Sequence, residues 1–171
     1  PYEHAMQCKG CGNKIPQNIL SKVFKETVAK GSLDADKIPS TTNLYQTTDI
    51  ISSLIDDPFK LGQIAAKHAL NDIYASLSKP ISSQMIVSLP PALNEINKRE
   101  LEQLKKGSEV ILKKANCPII GGHSYSTNDN QIYVGFSITG RKKNIKVMNQ
   151  SYDGNIYISG KIGSAITLAA I

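Results

Sequence analysis

TTDIISSLIDDPFKLGQIAAKHALNDIYA, residues 47–75, changes hydrophobic period partway along, and the change decides the fold class. Residues 43–50 predict a strand. From Pro58 to about residue 78 the apolar positions recur at helical spacing, with proline placed where a first helical turn accepts it. Upstream, Ile19, Leu20, Val23, Phe24 and Val28 recur at three and four residues, predicting a helix over 17–30. Downstream, residues 84–89 read as a strand ended by Pro90 and Pro91. Residues 94–114 read as a helix with Ile96, Leu101, Leu104, Ile111 and Leu112 on one face, locally weakened by Gly107. A short apolar run at 117–120 leads into GGHS, and strands follow at 131–139 and 155–159. Strands and helices alternate, but neighbouring strands late in the chain argue against a purely parallel sheet. The expected class is therefore α/β (α+β), with a mixed sheet.

The chain has 171 residues, a formal net charge of +6 and three cysteines, which suits one domain able to bury a core without disulfides. No apolar run approaches the roughly 18 residues of a membrane span, and the opening PYEHAMQCKG lacks the basic-then-apolar order of a signal peptide. These features predict a soluble, reducing, cytoplasmic setting. The excess lysine is scattered in pairs at 105–106, 113–114 and 142–143 without interleaved aromatic residues, so solvated faces are expected rather than a nucleic-acid or membrane surface. Opening on Pro1 and closing within GSAITLAAI, the sequence reads as a piece of a longer protein.

Three places carry more chemistry than folding requires. In CKGCGNK, residues 8–14, Gly10 and Gly12 flank Cys11, and nearby Lys14 could raise its thiolate fraction. An inert pair of thiols, a reactive thiol beside a lysine, and a metal or redox pair all remain open there. Asp72 falls on the helical arc that should be inside, with His68 one turn earlier on the same side. A carboxylate there needs a partner, either a cation or ordinary hydrogen-bond donors. Asp49 ends the TTD strand, while Asp34 and Asp36 lie in the loop before it; carboxylates converging this way suit an incompletely filled Mg²⁺ shell. GGHS, at Gly121, Gly122, His123 and Ser124, could present its backbone to phosphate or simply form a tight turn. SGKIG near the end is no P-loop, because five residues separate Gly154 from Gly160 and Ile162 replaces the required Ser or Thr.

Together, CKGCGNK, the 47–75 block, GGHS and GFSITG resemble, in order from about Met6 to Thr139, the selenophosphate synthetases, also called selenide, water dikinases. The MQCKGCGNK opening and His68 in AAKHALND look most like the form fused behind a flavin-dependent pyridine-nucleotide oxidoreductase. The resemblance implies an aminoimidazole-ribonucleotide-synthetase-like N-terminal domain, with helices on one face of a mixed sheet and the sheets of two copies pairing in a homodimer. It divides the chain into a flexible glycine-rich segment at 1–16, an ATP-binding domain at 17–150 and the start of a truncated C-terminal domain at 151–171. The implied reaction takes ATP, selenide and water to selenophosphate, AMP and phosphate, with Mg²⁺ as the metal; the fragment alone should be inactive.

By the same resemblance Cys11 and Lys14 match catalytic residues, Lys14 also meeting the nucleotide. Asp49 and Gly121, Gly122, His123 and Ser124 match nucleotide contacts. Asp72 and Asp34 match metal ligands, Asp72 also meeting the nucleotide. Three departures stand out. The family's DDAAV reads LDADK here, which leaves the choice between Asp34 and Asp36 open. AMG after the helix reads Ala75, Ser76, Leu77, removing a glycine, and a third metal ligand belongs to the C-terminal part. Other ATP-using members of the superfamily lack the Cys and Lys pair, and a non-catalytic nucleotide-binding or dimerisation module is the reading from another class.

Overall fold

The structure is a computed structural model that describes residues 15, 17–24, 34–144, 155, 157–160, 162 and 163. Helix α1 (Gln17–Val23) precedes strands β1 (Asp36–Lys37) and β2 (Leu44–Ser52). Helix α2 (Pro58–Ala75), strand β3 (Ser78–Leu89), helix α3 (Asn94–Lys114), and strands β4 (Ile119–Ser126) and β5 (Tyr133–Lys142) complete the order. The sheet runs β1-β2-β5-β3-β4, parallel only between β3 and β4 and antiparallel elsewhere. The sheet is thus mixed, as the late strand pairs predicted.

Both long helices lie on one face, α2 against β5, β2 and β3, and α3 against α2. Alternation along β2, β3 and β5 sends Ile51, Met85, Val87, Val134, Phe136 and Ile138 into the core. Helix α2 meets them with Leu61, Ala65, Ala66, Ala69, Leu70 and Ile73, a stripe whose small members let the helix approach the sheet closely. Its start follows from Asp57, whose carboxylate accepts the Lys60 amide at 3.0 Å, and from Pro58 in the first turn. That amide bond holds the Asp57 carboxyl below the ordinary carboxylate range.

Glycine fixes how α2 and α3 cross. A Cβ at Gly62 would strike the Leu104 carbonyl, and one at Gly107 would strike the Phe59 carbonyl. Gly107, read from sequence as a weak point in α3, is therefore the residue that admits the neighbouring helix. Ser108 secures the crossing, its hydroxyl lying 3.1 Å from the Gly62 carbonyl oxygen and 2.7 Å from that of Leu104.

Several predicted boundaries need correction. Strand β3 begins at Ser78 rather than Gln84, because Pro80 lies where only β5 is alongside and the ladder shifts between Pro80 and Ser82. Helix α2 ends at Ala75 rather than residue 78: Leu77 takes a left-handed conformation, φ 57°, and its amide donates to the Tyr74 carbonyl. Helix α1 ends at Val23 and residue 24 is a bend, while residues 25–30 of the predicted helix lie outside the described residues. Residues 155 and 157–159, predicted as a strand, carry no strand hydrogen-bonding pattern. GGHS is neither a turn nor a loop but part of β4, since Pro118 and Ile119 have already entered the ladder beside Ser83.

Candidate functional site

Thr47 and Asp49 alternate onto the same face of β2, and His68 and Asp72 stand one turn apart on α2. Two side-chain pairs join the elements. The Thr47 hydroxyl donates to Asp72 Oδ2 at 3.0 Å, and His68 Nε2 lies 3.6 Å from Asp49 Oδ2. The Asp49 side chain is 12% exposed and that of His68 28%, whereas Thr47 is buried and Asp72 half-buried. Asp72 thus sits at the flank of the buried stripe rather than at its centre, in reach of both a protein donor and solvent.

The sequence placed Asp49 and Asp72 in one chemical group, and the structure brings them side by side between β2 and α2. It also gives each carboxylate a polar partner. The pairing of His68 with Asp49 was missed, because helical spacing suggested only the Asp72 side of the imidazole. The signal was the TTD alternation, which aims residues 47 and 49 at the same helix face.

The GGHS residues lie elsewhere. β4 is three strand spacings from β2, about 14 Å, so Gly121, Gly122, His123 and Ser124 do not share the Asp49 and Asp72 site. The two glycines there differ. A Cβ at Gly122 would collide with the Met85 backbone, so close strand packing requires that glycine, while a Cβ at Gly121 would meet nothing within 4 Å. Gly121 therefore leaves its backbone open to approach. The His123 and Tyr125 rings stack with centroids 6.0 Å apart at 26°, and Ser124 faces a hollow of about 300 Å³ bordered by Val87, Asn97, Lys98 and Leu101.

Asp34 and Asp36 are exposed at the β1 end of the sheet. Among the described residues no three of His, Cys, Asp and Glu are gathered closely enough to hold a metal ion. Asp72, with its hard carboxylate oxygens and partial exposure, has the donor chemistry of one corner of a Mg²⁺ shell that water and phosphate complete. Cys11 and Lys14 lie outside the described residues. Cys117 is fully buried, and burial pushes its thiol pKa up, opposed by a hydrogen bond with Ser83, so it is an unreactive core thiol.

A mixed sheet with both long helices on one face is the fold of a known class. The chain belongs to the family described as AIR synthase related protein, N-terminal domain, whose model matches residues 29–142. Its curated relatives are more specific. It is 33% identical over 179 aligned positions to the selenide, water dikinase of Pseudomonas straminea, covering 95% of this chain and 49% of the relative. The selenide, water dikinase of Sulfurimonas denitrificans is 29% identical, with 99% of this chain and 52% of the relative covered. The chain thus spans about half the length of the curated relatives it matches. Among solved structures, the thiamine monophosphate kinase of Aquifex aeolicus superimposes with a TM-score of 0.60 at 17% identity, over 74% of this chain and 41% of that one. A structure of AaThiL complexed with AMPPCP and TMP gives the same TM-score at 17% identity over 72% and 40%. These superpositions bear out the expected fold.

Proposed function

We propose that this chain is the nucleotide-binding N-terminal part of an enzyme that takes ATP, selenide and water to selenophosphate, AMP and phosphate. The observation that carries the reading is the juxtaposition of Asp49 and Asp72 on β2 and α2. These are the carboxylates that the resemblance assigns to nucleotide and metal, and the similarity to selenide, water dikinases supports selenide as acceptor. Asp72, with Asp34 from the β1 loop, would hold Mg²⁺, which when bound offsets phosphate charge during transfer.

In this reading the chain's own groups do the positioning. His68 steadies the Asp49 carboxylate, Thr47 fixes one oxygen of Asp72 and leaves the other free, and Gly121 offers uncovered backbone along β4 to the nucleotide. Lys14 contributes charge for phosphate and Cys11 a soft sulfur for selenium. Residues 17–150 form the ATP-binding domain, and residues 151–171 begin the next. The outer sheet face, where Gln46, Thr48 and Ile50 are exposed, is the surface on which a second copy pairs in a cytoplasmic homodimer. A fused oxidoreductase is a further expected part of the whole polypeptide.

Product analysis tests the reaction. Phosphorus NMR of full-length protein incubated with Mg²⁺, ATP and selenide should show selenophosphate, AMP and phosphate accumulating together. ATP consumption that ignores selenide, or ADP as the sole nucleotide product, would contradict the assignment.

A further inference from the structure

Where α2 and α3 end, β3 and β5 enclose a hollow of about 500 Å³ lined by Lys79, Arg141, Lys142 and Lys143 together with Asn116 and Pro80. No carboxylate lines it, and among the described residues none of the four cations forms an ion pair. Lys79 stands directly opposite Arg141 in the antiparallel ladder, a like-charge cross-strand pair that works against folding. Lys113 and Lys114 complement the carbonyl pole of α3 from its last turn, but Lys79 and Arg141 stand on strands and have no such role.

The remaining two cations have fixed settings. Lys142 Nζ is 3.3 Å from the Tyr45 hydroxyl and 5.1 Å from its ring centroid, and the Lys143 amide donates to the Leu77 carbonyl at 3.0 Å. The ladder irregularity between Pro80 and Ser82, with a proline that has no N–H to donate, opens the sheet beside them. Lys79, Arg141 and Lys143, gathered around one cavity, are suited to an anion with several charges, which would relieve the opposition between Lys79 and Arg141.

We propose that this hollow binds a small oligophosphate anion, with Arg141 donating in bidentate fashion and Lys79 and Lys143 acting as point charges, while Lys142 stays turned to Tyr45. The chemistry is shared by free pyrophosphate and the phosphate tail of a nucleotide. None of these cations enters the Thr47–Asp72 or His68–Asp49 pairs, so the proposal does not depend on the role given to those pairs.

The test is calorimetric titration of full-length wild type, Lys79→Ser, Arg141→Ser and Asp72→Asn with pyrophosphate and with ATP, without Mg²⁺ and at constant ionic strength, with sulfate as the charge control. Either cation variant should weaken pyrophosphate binding about tenfold or more, while Asp72→Asn leaves it unchanged. Lys79→Ser should also raise the Tm of the anion-free protein, because the like-charge opposition is gone, and shrink the Tm gain on adding pyrophosphate. ATP affinity that falls with Arg141→Ser identifies a nucleotide tail as ligand; pyrophosphate alone responding identifies the free anion. Pyrophosphate binding no better than sulfate, or unchanged in both cation variants, overturns the proposal. So does preferential capture of an RNA oligonucleotide with steep salt dependence, which would make the hollow part of a polyanion groove.

Discussion

Replacing Thr47 by Val keeps the shape of a buried β2 side chain but removes the hydroxyl that donates to Asp72. The expected cost is about 1 kcal/mol, read as a lower urea midpoint with unchanged slope. Leu77 is a residue whose replacement should help. It sits just past the end of α2 with φ 57°, a left-handed conformation in which a Cβ is disfavoured by about 1 kcal/mol. Leu77→Gly should therefore raise stability by about that amount in the same urea titration, and a loss would contradict the account of the helix end. The sequence displayed the residue, as the Leu standing where the related motif has Gly, but not its conformation. Asp72 was legible for a related reason: a carboxylate on an apolar arc demands a partner. The partner itself was not, because Thr47 lies 25 positions earlier and only the β2 and α2 packing joins them.

At the scale of elements, the crossing of α2 over α3 rests on two missing side chains. Gly62→Ala and Gly107→Ala each drive a Cβ into a backbone carbonyl, so each should destabilise by about 2 kcal/mol or more, against the gain that Ala brings to an exposed helix. Thermal denaturation of the two variants checks this. Helix α3 matches its predicted bounds because its period is strong and its ends are plain; β3 was read six residues short because proline and serine at 78–83 disguise an element paired on one side only. The link from β4 to β5 is fastened by Asp129, which accepts from the Tyr133 hydroxyl at 2.7 Å. That bond, the largest influence on both groups, lowers the Asp129 pKa and raises that of Tyr133. Its contribution is present above the unfolded Asp pKa and below the unfolded Tyr pKa. It fades as pH falls through the lowered Asp129 value and again as pH rises through the raised Tyr133 value. NMR titration of the Tyr133 ring should show its pKa falling toward the free value in Asp129→Asn.

Across the whole molecule the sheet divides the chemistry. Asp49 and Asp72 lie beneath it on the helix side near β2, GGHS lies along the far edge, and the cationic hollow lies at the end where both helices stop. The mixed sheet and its helical layer were legible from alternating periods, since β2, β3, β5 and the two long helices each bury one face. The spacing between the acidic pair and GGHS was not, because strand order places β5 and β3 between segments that sequence shows only as successive motifs. The central claim is that Asp72 serves a metal-bound nucleotide rather than the fold. Its most direct test is Mg²⁺-dependent ATP turnover by full-length Asp72→Asn, measured beside its thermal melt. The account predicts that turnover is lost while the melt stays cooperative with Tm unchanged or raised, because a half-buried charge has been removed. Turnover equal to wild type in the folded variant would contradict it.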